Sequence, residues 1–176
     1  MLAPAHIIDR LERAPLALRA LVSVASPEDA RWRSPSGAWA IVEIVRHMGD
    51  EEVDDFRMRL KSTLENPAQA WPPIDPEGWA RDRNYIEDDL AEAVERFCAE
   101  RSASTAWLRS RGDPARIDWA RAHQHPKFGP ISAGDLLASW AAHDALHFRQ
   151  ISKRLFELTQ RDAAPAATKY AGEWGS

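Results

Sequence analysis

The sequence predicts an all-α fold, a four-helix bundle whose helices are joined by long connections. Three observations carry that expectation. Apolar residues recur at helical spacing in four stretches, no stretch alternates long enough for a useful strand, and the intervening segments are rich in proline and glycine. No repeat or linker divides the 176 residues, so 1–176 reads as one domain, long enough to bury a substantial core.

Ile7, Leu11, Leu18, Leu21, Val22 and Ala25 mark a first helix over about 4–26, which Pro15 must kink or restart. A second helix, about 38–64, has Ile41, Ile44, Val45, Met48, Phe56 and Leu60 on its apolar side. The segment ENPAQAWPPIDPEGW holds four prolines and cannot be helical throughout. A third helix, about 85–111, turns Ile86, Leu90, Val94, Phe97 and Leu108 inward. Ser132 followed three residues later by Asp135 resembles a capping box, and opens a fourth helix over about 132–158, with a tail at 161–176. The last two interhelical connections are near 20 residues each, whereas antiparallel neighbours need only about 2–8. Such lengths allow at least one crossover along the bundle, and they are where substrate contacts tend to be built.

Composition excludes several functions. A net charge of −4, with no basic run, argues against a nucleic-acid partner. One cysteine, Cys98, rules out an intrachain disulfide framework and fits a small core residue in a reducing compartment. No apolar run approaches the ~18 residues of a membrane span, and the start MLAPAHIIDRLERAP lacks the order of a secretion signal. A soluble cytoplasmic protein is expected.

His143 and His147 lie four apart on the apolar side of the fourth helix, close enough on one face to reach one ion. With Trp140 at zero and about 100° per residue, they project near −60° and −20°, the sector of Leu136, Ile151 and Leu158. Two buried imidazoles cost free energy unless their nitrogens find partners, and a metal ion would serve both. The spacing alone is weak, and HDALH is not the zincin HExxH, since Asp144 stands where the glutamate base would be. A third ligand is required, and His47, His123, His125 and His6 are available. His47 is favoured because the apolar helix face it borders turns acidic at Glu51, Glu52 and Asp55. Inward carboxylates need a cation, a donor network or a wet pocket. Alternatively, the second helix emerges from the bundle there.

Three segments together resemble the DinB/YfiT-like superfamily: WAIVEIVRH at the start of the second helix, HQHPKFGPISAGDLLASWAAH leading into the fourth, and HDALHFRQI within it. The resemblance runs from the first helix to the fourth. It implies a helical bundle with an unusual crossover and a divalent metal on His47, His143 and His147. Three neutral imidazoles suit zinc or nickel and leave coordination positions open to water, a carboxylate or substrate. Such an ion polarises a substrate or lowers the pKa of bound water. Among relatives the resemblance points to thiol-dependent S-transferases, with a low-molecular-weight thiol as cosubstrate, and to hydrolases. It also makes a homodimer plausible.

Around that trio, Gln150 projects near enough to orient an imidazole or bound water. Glu43 is either an acceptor for the second ring proton of His47 or a solvated glutamate. Glu51 is a fourth ligand, a base, or neither. Asp144 either orients a histidine or pairs with an arginine of another helix. His123 and His125 either border the pocket or lie on a loop surface, the latter being favoured. Trp140 is read as core, Trp71 and Trp79 as loop anchors or pocket walls, and the tail with Tyr170 and Trp174 as docking on the bundle or a second subunit. Two functions follow: a metalloenzyme acting on a small molecule, or a non-catalytic stress-related bundle with a structural metal and a protein partner.

Overall fold

The computed structural model describes residues 2–175. Four long helical runs form the bundle: α1 (Pro4–Val22), α3 (Ile41–Glu51) continuing through a π-helical turn (Glu52–Arg57) into α4 (Met58–Glu65), α6 (Leu90–Ser110) and α7 (Ala133–Ala163). Short helices α2 (Pro27–Arg31) and α5 (Pro76–Asp82) sit in the connections.

Boundaries follow local chemistry. The capping box expected at α7 is present, with Ser132 Oγ accepting from Asp135 N at 3.0 Å and Asp135 accepting from Ser132 N at 2.9 Å. That helix runs to Ala163, five residues past the expected end. A left-handed Asn84 (φ 49°) and a 3₁₀ turn at Tyr85–Glu87 delay the third long helix to Leu90, where Asp89 caps Ala91 N and Glu92 N. The first helix stops at Val22, because Ser26 and Asp29 build a capping box that opens α2. α1 runs through Pro15 without restarting. The carbonyl that Pro15 deprives of a helical donor, Leu11 O, instead accepts from Arg101 NH1 at 3.2 Å.

The sequence suggested no strands, but a small antiparallel hairpin precedes α7: β1 (Ala122–His125) and β2 (Gly129–Ser132). Four residues per strand are too few to register as alternation. Gly129 takes φ 74° at the turn, and His125 Nδ1 accepts from Lys127 N and Phe128 N at 3.1 and 3.2 Å.

Cross-helix pairs fix the topology. Arg19–Glu95 and Arg109–Glu12 make α1 and α6 antiparallel. Asp50–Arg96, Arg57–Glu100 and Glu65–Arg111 make α3/α4 and α6 parallel. Two consecutive long helices pointing the same way require a crossover, and residues 66–89 supply it, with α5 returning to α3. The long connection is thereby explained.

The core divides in two. One apolar cluster holds Leu18, Ile41, Ile44, Phe97 and Ile151; the other holds Leu11, Phe56, Leu60, Leu108 and Trp140. Between them lies a polar layer in which His47, Glu52, Arg101, Asp144 and His147 are all buried. The candidate site occupies this layer.

Candidate metal centre

Helix periodicity assembles the site. One turn of α7 stacks His143 and His147, and α3 runs antiparallel beside it, bringing His47 across. His147 Nε2 lies 3.1 Å from His47 Nε2 and 2.9 Å from His143 Nε2. One nitrogen from each ring falls within 4.8 Å of the other two, and among the described residues this is the one group of metal-ligating side chains so arranged. An ion bonded to histidine nitrogens at about 2.0–2.1 Å holds its donors roughly 2.9–3.4 Å apart, so the two separations at His147 fit one divalent ion, and the third pair lies within 4.8 Å.

Protonation also fits. His147 Nδ1 donates to Gln150 Oε1 at 2.8 Å, which leaves the Nε2 lone pair facing the other rings. Burial, and then the neighbouring His147, hold His47 down to about 3; burial and the two other rings hold His143 down to about 2. Burial likewise lowers His147 against the opposing bond to Gln150. All three imidazoles are therefore neutral near pH 7, the form in which histidine binds metal. His47 Nδ1 is buried with no hydrogen-bond partner. Trp39 and Phe56 wall the group, with ring centroids 5.0 Å from His47 and 4.9 Å from His143.

The expected accessory residues divide. Gln150 orients His147. Glu43 does not serve His47: it pairs with Arg33 and accepts from Ala40 N at 2.9 Å, closing the start of α3. Glu51 is outside the ligating group, so a fourth-ligand role has no support in the geometry. Its Oε1 is nevertheless buried without a partner. Burial, then the neighbouring Asp55, push Glu51 up to about 8. Asp55 is also raised by burial, although Arg59 pulls against it.

Asp144 takes the second of its two expected roles. It accepts from Arg101 NH1 and NH2 at 2.6 and 2.8 Å, while Arg101 Nε reaches both Glu52 oxygens at 2.9 and 3.0 Å. Trp140 Nε1 donates to Glu52 Oε2 at 2.8 Å, and its ring stacks on Phe56. Arg101 was not evident from sequence; the nearest hint was Pro15, which signals a freed carbonyl but not its donor. Of the acidic face of the second helix, Glu52 and Asp55 are answered by cations, Arg101 and Arg59, as is the adjacent Asp50 by Arg46, Arg83 and Arg96, whereas Glu51 makes no ion pair among the described residues.

His123 is buried, contrary to the expected loop surface. Trp71 stacks on it at 4.0 Å, and its Nδ1 bonds Pro67 O at 2.9 Å, so this pair anchors the crossover to the hairpin. Trp79 packs under Arg83, and Trp140 is core. In the tail Trp174 docks against Phe156, while Tyr170 is exposed.

A model of the DinB superfamily matches residues 10–151, and the chain belongs to that superfamily. Among solved structures it is similar to YfiT from Bacillus subtilis, at 21% sequence identity and a TM-score of 0.76, over 88% of this chain and 87% of that one. YfiT is described as a probable metal-dependent hydrolase with an unusual four-helix bundle topology. At that identity the likeness is one of fold. No curated protein matches the chain.

Proposed function

We propose that this member of the DinB superfamily is a metalloenzyme that holds one divalent ion on His47, His143 and His147 and acts on a small molecule. The observation that carries the proposal is the convergence of three neutral ring nitrogens, one tautomer fixed by Gln150, with no carboxylate or thiol among the described residues completing the set. Three protein ligands are the number that catalytic sites use while keeping a position open. The nitrogen-only donor set suits zinc or nickel. Bound there, a divalent ion supplies Lewis acidity towards a substrate oxygen, a thiol or water.

The chain's own residues supply the rest. Gln150 keeps His147 in the ligating tautomer. Trp39 and Phe56 restrict water around the rings. Burial and Asp55 raise Glu51, one helical turn beyond His47, to about 8, which supports a role as proton acceptor or donor near neutral pH. Its high pKa suits that role, since a carboxyl group matched to the working pH both takes and returns a proton.

Hydrolysis and thiol-dependent S-transfer, with a low-molecular-weight thiol as cosubstrate, are the two reactions proposed. Both need an electrophile beside a nucleophile made available at neutral pH. A cytoplasmic homodimer is part of the same proposal. The test is a turnover screen of zinc- and nickel-loaded protein, first with small esters and amides, then with small thiols and electrophiles. Metal-dependent turnover that disappears in His143→Ala supports an enzyme. A fully loaded protein with no turnover, its metal closed by a fourth side chain, supports the structural bundle instead.

A further inference from the structure

On α7 the ligand stripe continues beyond the histidines. His143, His147, Gln150 and Arg154 follow at steps of four, three and four residues, so they share one face. Arg154 lies about 10 Å along the helix axis from His147. Beside this stripe is a cavity of about 910 Å³, within the size of ordinary small-molecule sites. It borders the histidines through Trp39, which packs on His47, and Gln150, which bonds His147.

Three cations, Arg149, Lys153 and Arg154, stand along its α7 wall. Arg154 is buried and bridged to Glu157, which fixes its place and offsets its charge. Arg149 and Lys153 are exposed and, among the described residues, make no ion pair. Arg149 NH2 donates to the carbonyl oxygen of Gly175 at 3.3 Å, so an acceptor already stands where a ligand oxygen would. Trp39 and Trp174 add aromatic surface, and Glu77 of α5 is the single carboxylate in the lining. Among the described residues, then, two exposed cations without a carboxylate partner line one wall of a cavity beside the candidate metal centre.

We propose that this cavity is the subsite for the distal end of the ligand, and that it takes an oxyanion, a carboxylate or phosphate, on Arg149 and Lys153. The ligand is then a small anionic molecule with its reactive group at the three histidines and an apolar body along Trp39 and Trp174. This inference rests on the metal-centre proposal, because it places one end of the molecule there. Arginine and lysine recognise such groups by charge-assisted hydrogen bonds, arginine in bidentate geometry.

The test separates the two ideas. Cobalt-loaded protein is titrated with ω-carboxyalkyl hydroxamates of three to eight methylenes and with their methyl esters, read by the cobalt absorption spectrum. The hydroxamate addresses the metal, and only the acid addresses the cations. The expected result is about tenfold tighter binding of the acid at one optimal length, with the preference lost in R149A/K153A and kept in the distant control R121A. Cobalt stoichiometry and circular dichroism of each variant confirm an intact fold. Equal binding of acid and ester, or a preference surviving in R149A/K153A, overturns the anion subsite and leaves the metal centre standing. A protein that takes up no cobalt overturns both.

Discussion

Replacing Arg101 by methionine tests the polar layer that separates the two halves of the core. Arg101 is 1% exposed and directs hydrogen bonds to Glu52, Asp144 and Leu11 O. Methionine has similar bulk but no donor. It leaves two carboxylates buried without their cation and returns Leu11 O to the orphaned state that Pro15 imposes. Breaking a buried pair by removing one partner costs about 3–5 kcal/mol. For a chain of this length that corresponds to a fall in Tm of roughly 6–20 °C, at about 2–4 °C per kcal/mol. Arg109 is the matched control: it also bridges two carboxylates, Asp9 and Glu12, but its side chain is 41% exposed. Solvent screens that pair, and Arg109→Met should cost under about 1 kcal/mol. Thermal and urea unfolding of the two variants give both numbers. A loss at Arg101 no larger than that at Arg109 would refute the claim that burial makes this network structural.

Two further outcomes are expected. Glu51, raised by burial and Asp55 to about 8, holds its proton more tightly folded than unfolded. In metal-free protein its contribution to stability is therefore full below about pH 4.5 and declines as pH rises to about 8, by up to about 1.4 kcal/mol per unit. Glu51→Gln should flatten that slope in urea titrations at pH 6 and 8, and an unchanged slope would assign it to other groups. Gln150→Ala removes the acceptor that fixes the His147 tautomer. Metal affinity should weaken about 10- to 100-fold by competition with a chromophoric chelator while helix content is unchanged; retained affinity would reduce Gln150 to a bystander.

The bundle and the histidine trio were legible in the sequence for one reason. A helix places residues four apart on one face, so the apolar pattern of the fourth helix also told where His143, His147 and Gln150 point. His47 needed more, because no periodicity says which helix packs opposite; the resemblance carried by WAIVEIVRH supplied the partner. Arg101 was invisible on the same ground. An arginine in a helix is usually solvated, and only the packing of α6 between α1 and α3 buries it against Glu52 and Asp144. The π-helical turn at Glu52–Arg57 leaves the helical apolar pattern unbroken, and the hairpin before α7 has strands of only four residues, so neither stands out from the sequence pattern. His123 illustrates the same limit: its burial depends on Trp71, fifty-two positions earlier, folding back across it.

Metal content tests the central claim most directly. Protein purified without a histidine tag, offered zinc and then nickel and freed of excess, is measured by elemental analysis beside His147→Ala. The geometry predicts about one equivalent for the native chain and less than about a tenth for the variant, because His147 Nε2 is the atom that both other histidines approach. Less than a tenth of an equivalent in the native chain, or equal content in the two proteins, would contradict it.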